Sequence, residues 1–128
     1  MLVVATRLSP RGLSGLRASM ALSQTVVAQL ADLPGFRGGR LLVDHRRDLW
    51  TVTTWSDRAS LAAFGALHAP VMARIGDVAR GSATTGWRQD GDAVPTWADV
   101  RTRWTEGRGP GRGVGRPLPP SRALVAAA

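Results

Sequence analysis

The stretch Leu49-Trp50-Thr51-Val52-Thr53-Thr54-Trp55, followed at once by Ser56-Asp57 and the run Arg58 to Leu67, constrains this chain most. Val, Thr and Trp pack well on a pleated surface, so the segment predicts a strand. Ser56 or Asp57 stands where a helix needs an acceptor for the free N–H groups of its first turn. The junction therefore predicts a strand that passes directly into a capped helix. It contains no catalytic motif.

Reading outward from that junction gives the order of elements. Leu2 to Thr6 predicts a first strand, closed by Ser9-Pro10-Arg11-Gly12. From about Ser14 to Leu33, Leu16, Met20, Val27 and Leu30 recur at helical spacings and predict one apolar face. Pro34-Gly35 ends that helix. Arg40 to Asp44 predicts a second strand, joined to the third by the short loop His45 to Asp48. In the next helix Leu61, Phe64 and His68 share a side, and Val71, Met72, Ile75 and Val78 continue it. Pro70 predicts a kink or a new helix starting there. Gly81 to Gln89, with Trp87, predicts a fourth strand. A short helix should then begin near Thr96, its cap, and end near Trp104.

The resulting β-α-β-β-α-β order is that of a ferredoxin-like α+β unit, with an extra C-terminal helix. Residues 1–105 form the expected domain. Residues 106–128, GRGPGRGVGRPLPPSRALVAAA after Glu106, are rich in Gly, Pro and Arg and predict a disordered tail. Two helices can cover only one face of the sheet. The opposite face, assigned Val4 and Trp50, needs another cover, and a homodimer packed sheet to sheet would supply it.

Composition narrows the function classes. Without cysteine, disulfides, thiolate metal sites and cysteine nucleophiles are excluded, and two histidines leave little for zinc. No apolar run approaches a membrane span, so a cytoplasmic protein is expected. The net charge of +8 is carried by arginine alone, 17 residues and no lysine, and is read as a solvated surface. RNA-recognition domains share the predicted order of elements but need aromatics on the first and third strands in a basic-glycine-aromatic signature. The first strand has no aromatic, so nucleic acid is disfavoured as a partner. The glycines at 35, 38 and 39 match no phosphate-binding spacing.

Pro34-Gly35-Phe36, the Gly-Gly-Arg-Leu strand, the Trp-Thr-Val-Thr-Thr-Trp strand, Ser-Asp-Arg-Ala-Ser-Leu-Ala-Ala-Phe and His68-Ala69-Pro70-Val71-Met72 together resemble the antibiotic-biosynthesis-monooxygenase-like dimeric α+β barrel proteins. The resemblance runs from about Leu2 to Trp104. It implies a homodimer whose protomers each hold a pocket between sheet and helices. It further implies a small monooxygenase acting on an aromatic or polycyclic hydrophobic substrate without a cofactor. The alternative is a non-catalytic dimeric module that binds a small hydrophobic ligand or haem. The residues that serve haem degradation in some members fall here near Thr6, Phe64 and Arg74, and none agrees. A fainter likeness to haem-dependent spheroidene-monooxygenase-like proteins points again to His68.

His68 is accordingly the expected catalytic residue, as a base toward a phenol or as a haem ligand. Trp55, Phe64, Met72 and Trp87 are the expected substrate-binding residues. Trp50 and Trp55 alternate across the third strand, so one should face the pocket and the other the partner. Arg7, Arg40 and Asp44 lie on or beside strands, and Arg40 turned inward could hold an anion. His45 is expected in water, and Trp97 and Trp104 should clamp the last helix onto the domain.

Overall fold

The computed structural model describes residues 1–106 and 121–126. In chain order they form β1 (Leu2–Pro10), α1 (Gly12–Ala31), β2 (Phe36–Asp44), β3 (Leu49–Trp55), α2 (Arg58–Val78), β4 (Ala79–Arg88), α3 (Trp97–Glu106) and β5 (Ser121–Ala126). The sheet is antiparallel in the order β4-β1-β3-β2-β5, so the first four strands have the expected ferredoxin-like arrangement.

The strand-to-helix junction is built as the sequence predicts. Ser60 N donates to Asp57 Oδ1 at 2.8 Å, and Ser56 and Ser60 hydroxyls donate to Oδ2 at 2.8 and 3.1 Å. These bonds favour the ionised carboxylate and hold the Asp57 pKa below its ordinary value, the Ser60 backbone bond most of all. At α3, Thr96 Oγ1 accepts from Asp99 N and Thr96 N donates to Asp99 Oδ2, a reciprocal cap. Pro70 interrupts nothing: α2 is one span through it. Its missing N–H would have met the Ala66 carbonyl, and both residues are exposed, so water can take that place.

Alternation divides the sheet. Val3, Ala5, Leu42, Trp50 and Val52 point to one face, where Val100 and Trp104 of α3 lie fully buried on them. Trp50 meets Trp104 edge-on at 4.9 Å between centroids. The sheet face expected to need a second copy is thus covered here by α3 of the same chain. Val4 was assigned to this face, but its register opposite Thr53 turns it toward α1 and α2.

Asp44 secures this side. It is 5% exposed, and its Oδ2 accepts from Trp50 Nε1 at 2.9 Å. Its Oδ1 accepts from Arg46 N at 2.8 Å and Asp48 N at 3.0 Å, closing the β2–β3 turn in which Arg47 takes φ of 64°. His45 is exposed on that turn, as expected.

One expectation is corrected within the tail. Ser121–Ala126 is not disordered but pairs along β2, Leu41 opposite Leu124 and Asp44 opposite Ser121. An open β2 edge offers unpaired N–H and C=O groups, and Leu124-Val125 has strand-forming side chains. The remainder of the tail lies outside the described residues.

Asp44→Ala should lower stability by about 2–4 kcal/mol, because it strands a buried indole N–H and two turn N–H groups. The urea midpoint measures this, and an unchanged midpoint would refute the role given to Asp44.

Candidate functional site

Between the helix-facing side of the sheet and α1 and α2 lies a cavity of about 280 Å³. Two close approaches frame it. At one end Arg11 N donates to Val78 O at 2.8 Å, and a Cβ on Gly15 would sit 2.5 Å from that same oxygen. At the other, Ser56 N donates to Gly35 O at 2.8 Å, and a Cβ on Gly35 would collide with the Ser60 side chain. Gly35 also has φ of +84°, which suits glycine. The helices are held at both ends, while the space between them and the middle of the sheet stays open.

Val4, Thr6 and Leu8 of β1 and Leu49, Thr51 and Thr53 of β3 form the floor. Leu22, Val26, Val27 and Leu30 of α1 close one side, and Leu61, Phe64, His68 and Val71 of α2 the other. The lining is mostly apolar, with scattered hydroxyls; Thr6 and Thr84 share a hydrogen bond of 3.1 Å across β1 and β4.

An aromatic series runs into this space. Phe36 meets Trp55 edge-on at 5.5 Å, Trp55 stacks on Phe64 at 5.1 Å, and Phe64 stacks on His68 at 4.9 Å with rings 16° apart. Trp55 is fully buried behind Phe64, and its Nε1 donates to Thr53 Oγ1 at 2.9 Å. His68 is half-buried, and its buried Nδ1 has no hydrogen-bond partner among the described residues. Burial disfavours imidazolium and pushes the His68 pKa below its ordinary 6.5, so the ring is neutral at pH 7. A neutral imidazole facing an apolar cavity can accept a proton from a weakly acidic group placed there.

The structure therefore brings Trp55, Phe64 and His68 together. It does not bring Trp87 to them: Trp87 pairs with Val3 and packs on the α3 side, because its position in β4 turns it to the opposite face. Met72 lies on α2, and its side chain is outside the described residues. Arg40 borders the cavity, but its Nε donates to Pro95 O at 3.1 Å, so that donor is already engaged. Trp50 lies under α3 rather than against a pocket or partner. Thr6 and Phe64 do line the cavity, whereas Arg74 is exposed and absent from its lining. Among the described residues no three His, Cys, Asp or Glu side chains converge as metal ligands, and no helix is long and apolar enough to cross a membrane.

Sequence reasoning missed Ser19, which is 1% exposed and lines the cavity. Its signal lay in the small residues: Gly15, Ser19 and Leu30 are the buried positions of α1, whereas Leu16 and Met20 are only partly buried. A pattern drawn through the large apolar residues is displaced from this inward stripe.

No protein-family model matches the sequence, and no curated protein matches it. Solved structures do match in fold. Rv0793 from Mycobacterium tuberculosis superposes with a TM-score of 0.65 at 20% identity, over 73% of this chain and 98% of that one. SnoaB, a cofactor-independent oxygenase from Streptomyces nogalater, gives 0.59 at 15% identity over 74% and 97%. The monooxygenase ActVA-Orf6 of Streptomyces coelicolor, solved with the ligand nanaomycin D, gives 0.59 at 12% identity over 74% and 92%. The fold of this chain is the ferredoxin-like α+β fold of the antibiotic biosynthesis monooxygenases.

Proposed function

We propose that the chain is a small monooxygenase that oxidises an aromatic or polycyclic hydrophobic substrate in the cavity between sheet and helices, without a cofactor. The observation that carries this reading is His68: a neutral, half-buried imidazole stacked on Phe64, with an unpartnered Nδ1 beside apolar walls. Phe64 and the walls of the cavity would bind the substrate rings, with Trp55 holding Phe64 from behind. His68 would take the proton of a phenol, giving an electron-rich phenolate that dioxygen can attack at an activated ring carbon. When that carbon is a methylene, one oxygen atom becomes its carbonyl oxygen and the other leaves as water, so the substrate supplies all four electrons. The fold shared with SnoaB, a cofactor-independent oxygenase, supports this choice.

The second reading is a binding module for a small hydrophobic molecule, which the same cavity would serve without chemistry. Haem fits it less well. Its two propionates need cationic partners, and among the described residues Arg40 is the one arginine that borders the cavity. The homodimer belongs to the proposal as well. A monomeric mass at micromolar concentration would remove the dimer and leave the cavity reading intact.

Oxygen uptake with anthrone-type phenols tests the activity. His68→Ala should lower kcat by about 100-fold or more if the imidazole is the base, and unchanged turnover would refute that role.

The pH dependence follows from the lowered pKa. Activity should be full where His68 is neutral and fall only as pH drops through a value below 6.5. The unfolded chain takes up that proton first, so stability should also decline as pH falls below about 6.5. His68→Phe should reduce this loss in pH-dependent thermal unfolding, and an identical pH profile would contradict the assignment.

A further inference from the structure

Hydroxyl groups inside these helices mostly satisfy themselves. Ser23 Oγ donates to Ser19 O at 2.9 Å, Thr25 to Ala21 O at 3.3 Å and Thr102 to Ala98 O at 3.1 Å. Each reaches the carbonyl four residues earlier, the usual local partner. Ser19 departs from the pattern. It is the most buried of the four, 1% exposed, yet its Oγ has no hydrogen-bond partner among the described residues. It also lines the cavity. A buried hydroxyl without a partner is unfavourable, and a ligand oxygen in the cavity would supply one.

Strand register locates this hydroxyl relative to His68. Trp55 pairs with Leu2 at one end of β1, and from there the stacked rings lead through Phe64 to His68. Toward the other end, Thr6 pairs with Thr84 and Leu8 with Ser82, and all four line the cavity. Helix α1 starts at this second end, just after β1 finishes, and Ser19 falls in its first half. The cavity thus has the stacked rings toward one end and Thr6, Ser82 and Thr84 toward the other. Among the described residues, Arg40 and His68 are the ionisable ones that line it, and Arg40 Nε is bonded to Pro95 O. Apolar walls with scattered hydroxyls suit a largely apolar molecule that carries separated oxygen atoms.

We propose that Ser19 is a positioning residue, whose hydroxyl donates to a second oxygen of a neutral polyoxygenated aromatic ligand while His68 meets the first. The assignment rests on the cavity's being the substrate site. It adds that the substrate carries oxygen at two separated places, and that Ser19 selects the orientation presenting the reacting ring to His68.

Two probes test this, 1-naphthol with one oxygen and 1,5-dihydroxynaphthalene with two, titrated against the full chain by calorimetry. The single hydroxyl of 1-naphthol goes to the stronger acceptor, His68. Ser19→Ala should weaken the two-oxygen probe by about 3- to 10-fold and leave 1-naphthol unchanged. Ser19→Cys, which nearly keeps the volume with a weaker donor, should fall on the same side. The ligand-free thermal midpoint of Ser19→Ala should not drop, since only an unpaired group is removed.

Equal weakening of both probes, or weakening of neither, would overturn the assignment. So would a ligand-free midpoint lowered by more than about 3 °C, the mark of a structural partner. Failure of the unaltered protein to bind either probe would overturn it too. Oxygen uptake on a turned-over phenol separates this from the enzyme reading. Selective loss of the two-oxygen probe without any uptake refutes the enzyme and keeps Ser19; uptake without selective loss does the reverse.

Discussion

The Val78 carbonyl is the point on which the helical layer depends. It accepts from Arg11 N, and it leaves no room for a side chain at Gly15. The start of α1 is thereby pressed against the end of α2. Gly35 repeats the arrangement at the opposite end, where its carbonyl accepts from Ser56 N beneath Ser60. Between these two contacts the helices leave space above the middle of the sheet. Hydrophobic burial there is incomplete, and the residual space is the cavity. A domain of this size ordinarily fills its interior to near-crystalline density, and here about 280 Å³ stays open between the layers.

The two sides of the sheet are treated differently. On the α3 side Trp50, Trp104, Val52 and Val100 are packed without exposure, and the Asp44 carboxylate binds the indole and the turn together. That side is a closely packed backing. The other side presents small and hydroxylated residues, Thr6, Thr51, Thr53, Ser82 and Thr84, which leave room above the pleat. The single imidazole sits at the edge of this roomier layer, where desolvation keeps it neutral.

Much of this was legible in the residues. The strand Leu49–Trp55 has the bounds its β-branched and aromatic content predicts, and Asp57 caps the helix after it. The placing of Trp55, Phe64 and His68 on one side follows from strand alternation and helical spacing. What escaped the reading depends on contacts between distant segments. The phase of β4 is not set by its own glycines, and the substrate contact expected of Trp87 falls on the α3 side instead. Ser121–Ala126 becomes a strand only because the β2 edge is there to pair with it. Ser19 escaped because a small polar residue marks an inward face only when the opposing surface is known.

The paired glycine contacts bear on how such a chain can change over generations. They fix the length of chain between Gly15 on α1 and Gly35 beyond its end, and a residue inserted or deleted within the helix would turn the inward stripe by about 100°. Single substitutions in the cavity wall carry no such phase error. Drift by replacement, with helix length held, is therefore the accessible route. The fold itself does not demand a particular sequence, since the solved structures that share it are 12–21% identical to this chain.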